Sequence, residues 1–245
     1  MKRLLLTLLI PLLAAACTST VVPQPKSAES YLQEGENFFE RGLYDDAIGA
    51  WEKVRDSYYS PELNVIAELK IAEAYYLDER YAEAAAAYED FLKQHPDHEK
   101  TSRVLYELGM SYYNQRLSAD RDQGATRNAL STFESFLQQF PQDPKAEGVQ
   151  VMADRCRDLL ADHELYVGRF YYRTKKYAAA SSRLEGLFKR YPNYFHRDEA
   201  YYYLGQAYLM KEDRTRAAQA FNELYREFPN SEFILPAQKL LEKRY

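Results

Sequence analysis

LKIAEAYYLDERYAEAAAAYEDFLKQHP, residues 69–96, places a small residue, Ala72, three positions before an aromatic, Tyr75. An alanine, Ala84, follows twelve after the small residue; a large ring, Tyr88, comes four further on, and Pro96 closes the unit. The same points recur in residues 31–54 as Gly35, Phe38, Ala47 and Trp51. They recur again as Gly168, Tyr171, Ala180, Leu184 and Pro192, and as Gly205, Tyr208, Ala217, Phe221 and Pro229. Glycine or alanine lets two antiparallel helices cross closely, the large residue fills the space beside the crossing, and proline ends the second helix.

A fifth copy runs over 106–141 with Gly109, Tyr112, Ala129, Phe133, Phe136 and Pro141. Here the small-to-alanine distance is 20 instead of 12, and the extra residues fall in the polar stretch NQRLSADRDQGATRN (114–128). The pattern resembles the tetratricopeptide repeat, a helix-turn-helix of about 34 residues, here spaced 37 apart from Gly35 to Ala72 and from Gly168 to Gly205. The expected fold is an all-α tetratricopeptide-repeat solenoid of five repeats, with SEFILPAQKLLEKRY (231–245) as an amphipathic capping helix. From Pro96 to Gly109 is 13 residues, as from Pro192 to Gly205, but from Pro141 to Gly168 is 27. The surplus of 14 is close to four turns at ~3.6 residues each, which lengthens a helix while keeping its packing face. One long helix is therefore expected from Lys145 to about Arg173, with Pro144 at its first turn. It separates an N-terminal module (29–143, repeats 1–3) from a C-terminal one (144–245, repeats 4–5 and cap).

The N-terminus has its own logic. Lys2 and Arg3 precede an apolar run to Leu13, then Ala14, Ala15, Ala16 and Cys17. A basic head, apolar core and small-residue exit make an export signal over 1–16, shorter than the ~20 residues that span a bilayer. Two outcomes are open: cleavage after the alanines as a secreted protein, or lipidation of Cys17. The segment LLAAAC resembles a bacterial lipoprotein lipobox with Ala14 where Leu is preferred, and Thr18 after the cysteine implies transfer to the outer membrane. TSTVVPQPKS (18–27) reads as a flexible linker, the lipidated N-terminus and tether together covering 17–28. Extended at ~3.3–3.6 Å per residue, those ten residues reach as much as ~35 Å.

The formal charge is −5, and loss of Lys2 and Arg3 takes it to −7. An acidic balance with interspersed signs argues against nucleic-acid binding. Once Cys17 is lipidated, Cys156 has no disulfide partner; on the long helix it is expected as a half-buried thiol. No nucleotide-binding, hydrolase or zinc-protease signature is present. His95 and His98 straddle a proline without further ligands, and the segment from Asp120 fails as a calcium loop, with Ala125 where glycine and Ser131 where glutamate is needed. No catalytic site, metal or cofactor is expected beyond the covalent lipid. A repeat scaffold of this kind binds partners.

By resemblance to the repeat family, the first helices line a concave groove. Its positions are six and three before the small residue, and one and four after it. Repeats 1–3 thus present Phe39, Glu73, Tyr76, Arg103, Tyr106, Met110 and Tyr113 as a peptide groove; repeats 4–5 present Arg169, Tyr172, Tyr202 and Gln206. Rings flanked by charges suit an extended apolar peptide, although each tyrosine can instead pack between repeats with its hydroxyl in water.

The irregular order of export signal, cysteine, repeat-3 insertion and long helix resembles the BamD family, outer-membrane assembly lipoproteins of the β-barrel assembly machinery. So do the strings AELKIAEAYY (67–76), HPDHEKTSRVLYELG (95–109), ADRDQGATRNALSTFESF (119–136) and RLEGLFKRYP (183–192). The resemblance implies a non-catalytic protein anchored on the periplasmic face of the outer membrane. It implies contact with the POTRA domains of a BamA-like barrel subunit through repeats 4 and 5, other assembly lipoproteins as neighbours, and unfolded outer-membrane proteins as substrates. Arg183 in the RLEG string is a further candidate for the subunit contact, since a guanidinium can fork onto a carboxylate; the alternative is an ion pair with a neighbouring helix. A rival reading is another periplasmic repeat lipoprotein, serving pilus-secretin assembly or envelope coordination during division.

Overall fold

The computed structural model describes residues 26–56 and 60–244. The export segment, Cys17 and most of the linker lie outside the described residues. Eleven helices follow one another: α1 (Ala28–Phe39), α2 (Tyr44–Arg55), α3 (Pro61–Leu77), α4 (Tyr81–Gln94), α5 (Thr101–Asn114), α6 (Gly124–Gln139), α7 (Ala146–Arg173), α8 (Tyr177–Arg190), α9 (Arg197–Met210), α10 (Arg214–Glu227) and α11 (Ile234–Arg244). Each helix packs chiefly against its neighbours in sequence, as a solenoid requires. Pairs α1/α2, α3/α4, α5/α6, α7/α8 and α9/α10 are the five repeats, and α11 covers the end of the last.

The small-residue positions are the crossing points. A Cβ on Gly168 would lie 2.6 Å from Leu184 Cδ2, and one on Gly35, Gly109 or Gly205 would overlap Trp51, Phe133 or Phe221. In repeat 1 the indole Nε1 of Trp51 also donates to the Leu32 carbonyl at 3.2 Å. The alanines twelve residues on, Ala47, Ala84, Ala180 and Ala217, and Ala129 twenty on in repeat 3, are all fully buried.

The turns inside repeats 1, 2, 4 and 5 are one structure repeated. Gly42, Glu79, Lys175 and Glu212 have φ of 71°, 58°, 61° and 61°, each seven residues after its repeat's small residue. The next amide (Leu43, Arg80, Lys176, Asp213) donates back to Phe38, Tyr75, Tyr171 or Tyr208, closing a Schellman turn on the repeat's aromatic. Repeat 3 departs from this. Its inserted loop folds around Gln123, buried to 1% exposure, which donates to the carbonyls of Ser118 and Arg121 and accepts from Thr126. The loop is tied to α7 by His163 Nδ1, 2.7 Å from the Ala119 carbonyl.

The long helix is present as 28 residues, Ala146–Arg173. Pro144 precedes it instead of standing in its first turn, because the Asp143 carboxylate accepts from the Lys145 amide at 2.9 Å and holds a turn there. Its first half places Val149, Ala153 and Cys156 in one core with Leu105, Phe133 and Phe136. Its second half places Ala161 and Leu165 in another with Leu184, Leu187, Leu204 and Phe221. The packing border between the modules thus falls inside α7. Cys156 is fully buried, deeper than the half-buried position expected, and that burial pushes its thiol up to about 11.

Candidate functional site

On the inner face of repeats 2 and 3, α3 and α5 enclose a pocket of about 170 Å³. Ile66, Leu69 and Val104 supply apolar wall, and Tyr88 reaches up from α4 as its floor. The rim is charged: Lys70, Glu73, Lys100, Arg103 and Glu107. Two expected groove residues meet here, for Arg103 Nη2 lies 2.9 Å from Glu73 Oε1. Desolvation raises the Glu107 carboxyl above its ordinary range, with Arg103 and Lys145 pulling the other way. Burial likewise raises the phenol of Tyr88.

Of the expected aromatics, Tyr76 and Tyr106 lie near Glu107 of this rim. Tyr76 accepts from Asn114 Nδ2 at 3.3 Å and meets the edge of Tyr81 at 5.5 Å. Tyr106 carries the Lys145 ammonium 4.6 Å above its ring, and partial burial raises both phenols. Tyr113 lies against Phe133 at 6.1 Å with the Arg116 guanidinium over its ring; Met110 packs beside the same core. Phe39 stands apart, set against Tyr44 and Trp51 beneath Lys70. These side chains are half-buried, Arg103 being more exposed. Each has a packed flank and a solvent-facing one, the condition for rings that present contact area at low entropic cost.

The C-terminal positions are more fully occupied internally. Arg169 pairs with Glu199 at 3.0 Å, Tyr172 packs against Tyr177 and Tyr203, and Tyr202 stacks on Phe233 of the α10–α11 connection at 5.1 Å. Gln206 hydrogen-bonds Tyr202. Arg183 Nε lies 2.7 Å from Glu164 Oε2, and Arg190 Nη2 reaches the same oxygen at 2.7 Å. Of the two roles the sequence leaves open for Arg183, the ion pair with a neighbouring helix is formed.

Glu107, Lys70 and Lys100 escaped the sequence reading, and Tyr88 was read there only as the large residue of its repeat. Tyr88 had a signal: it stands where other repeats place Trp, Phe or Leu, so its hydroxyl needs a polar outlet. Glu107 and Lys70 both stand two before the small residue, where each faces the preceding repeat. His95 Nε2 pairs with Glu68 at 2.9 Å and the His98 imidazole accepts from the Lys100 amide at 3.1 Å, so both serve the turn between repeats 2 and 3.

A solenoid of five helix pairs with a pocketed, aromatic inner face defines a tetratricopeptide-repeat protein, and the repeat model itself matches residues 199–231. A family model described as outer membrane lipoprotein (YfiO) matches residues 24–213; the chain belongs to that family, whose description places it at the outer membrane. Relatives named outer membrane protein assembly factor BamD include those of Neisseria gonorrhoeae, 27% identical over 97% of this chain and 95% of theirs, and of Neisseria meningitidis, 28% identical over 96% and 94%. That of Caulobacter vibrioides is 26% identical over 91% of this chain and 73% of its own. Among solved structures, the TPR2AB-domain–pHSP90 complex of yeast Sti1 matches 88% of this chain and 84% of its own at 16% identity and a TM-score of 0.42.

Proposed function

We propose that this chain is a non-catalytic scaffold of outer-membrane protein assembly, held by lipid on Cys17 to the periplasmic face of the outer membrane. Among the described residues no helix is long and apolar enough to cross a membrane, which suits attachment by lipid. Repeats 1–3 receive segments of unfolded outer-membrane proteins. Repeats 4 and 5, with Arg169, Tyr172, Tyr202, Gln206 and Arg183 near the contact, dock the POTRA domains of the barrel subunit. Other assembly lipoproteins complete the machine.

The observation that supports the groove assignment is the pocket between α3 and α5, with an apolar wall over a tyrosine floor, a rim of both charge signs, and Tyr76 and Tyr106 beside it. An extended chain ending in an aromatic strand presents rings for the floor and backbone polar groups for the rim. The test is binding of a fluorescent C-terminal barrel-strand peptide to the Tyr76→Ala/Tyr106→Ala/Tyr113→Ala variant. At about 1 kcal/mol or more per interfacial ring, affinity falls at least tenfold; unchanged affinity removes the groove from the function. Recovery of a secretin in place of a barrel subunit on purification from outer membranes would favour the pilus-assembly reading.

A further inference from the structure

In each repeat, the residues two before and two after the small position face the repeat that precedes. In repeat 2 they are Lys70, which pairs with Glu36 of α1 at 2.6 Å, and the fully buried Ala74. Repeats 3 and 5 bury Ser111 and Ala207 completely at the second of these positions; at the first, Tyr203 of repeat 5 meets Tyr172 of repeat 4 at 5.6 Å. Two repeats have no such cover. Repeat 1 has no predecessor among the described residues, and its positions are Gln33 and Asn37, exposed and hydrogen-bonded to one another at 3.4 Å. That is the polar outer face a solenoid end needs.

Repeat 4 is the other. Tyr106 of α5 meets Lys145 and Arg116, just past the end of α5, lies near Cys156, so α5 accompanies only the first half of α7. The repeat-3 loop reaches α7 as far as His163, and residue 170 is seven residues beyond that, about 10 Å along the axis at ~1.5 Å per residue. The open positions there are Tyr166 and Phe170, 39% and 44% exposed. Where the other uncovered face is an amide pair, this one is two aromatic rings. Beside them Arg173, Lys175 and Lys176 are exposed and carry no ion pair among the described residues, on a chain of net charge −5.

We infer that this face of α7 is a docking surface for a second polypeptide, one that presents carboxylates around an apolar centre and takes the place of the missing repeat. Charge complementarity selects the acidic border, and the interrupted stack supplies the apolar seat. The inference rests on the reading of the chain as a scaffold and places a contact outside the internally paired Arg169 and Arg183.

The test is thiol labelling of Phe170→Cys, with Tyr166→Cys as a second probe and Asn37→Cys as the open-end control, the label located by peptide mass. In the isolated chain all three react. In the complex purified from outer membranes, labelling at 170 and 166 slows at least tenfold while position 37 stays reactive, and adding Arg173→Glu and Lys175→Glu restores most of the rate. Equal rates at 170 and 37 in the complex overturn the proposal. Protection of 170 in the isolated chain at raised concentration assigns the face to a second copy, and protection by phosphatidylglycerol vesicles assigns it to the membrane; either result overturns it. If 170 is protected in a complex that lacks a barrel-inserting subunit, the proposed function fails and this inference stands.

Discussion

The two halves of α7 answer to different cores. Val149, Ala153 and Cys156 complete the core of repeat 3, much as a terminal helix covers a solenoid's end; Ala161 and Leu165 open the core of repeats 4 and 5. Within 28 residues the same helix therefore closes one module and begins another. The lesson is that extra turns in a repeat helix can join two short solenoids rigidly. Connection comes from continuous backbone hydrogen bonds, with each half of α7 packed into its own core and His163 tying the repeat-3 loop to the second half.

Breaking that continuity is the largest perturbation available. Ala161→Pro removes the amide that bonds the Arg157 carbonyl and sets a ring against it, at a cost of about 3 kcal/mol or more. Because Ala161 is fully buried where the second core begins, the expected outcome is separation of one urea transition into two, read by circular dichroism. A single transition with less than about 1 kcal/mol lost would mean that side-chain contacts across the junction hold the modules together.

A smaller effect contrasts two glycines on the same helix. Gly168 crosses Leu184, where an added Cβ sits 2.6 Å from a methyl, whereas Gly148 has nothing within 4 Å. Gly168→Val is expected to cost about 1–3 kcal/mol by overpacking. Gly148→Ala is expected to add about 0.5–1 kcal/mol, because alanine loses less backbone entropy on helix formation. Thermal unfolding of the two variants checks the pair; equal signs would break the comparison.

These features were unequally visible in the sequence. Helix crossings impose local demands, so the pairs Gly35/Trp51, Gly168/Leu184 and Gly205/Phe221 stood out at one spacing of 16, with Gly109/Phe133 set eight wider by the repeat-3 insertion, and the surplus before Gly168 foretold α7 almost to the residue. Groove positions came from the resemblance to the repeat family, and the structure sets Glu73 against Arg103. The partners of Arg169 and Arg183 could not be read, since each ion pair depends on distances between helices that periodicity does not fix. Nor could the seat of Gln123, a polar side chain that folds its own loop inward. Tyr166 and Phe170 were legible as residues, but their exposure acquires meaning only once α7 is seen to outrun α5.

The left-handed turns show why a structural rule can hide from a sequence. Four repeats use one Schellman turn, yet only Gly42 carries the residue type that announces it; Glu79, Lys175 and Glu212 adopt the same positive φ with a side chain. A left-handed L-residue costs roughly 1–2 kcal/mol, and glycine in its place loses roughly 0.5–1 kcal/mol more entropy on folding. The two terms nearly offset, so little selects glycine, and the turn survives without its signature. Replacing Lys175, which follows α7 directly, by glycine is therefore expected to gain at most about 1 kcal/mol, and Gly42→Ala to lose about as much. Chemical denaturation at matched slopes measures both. A loss on Lys175→Gly would mean that its side chain contributes to the folded turn, and would make this end of α7 more than a backbone hinge between helices.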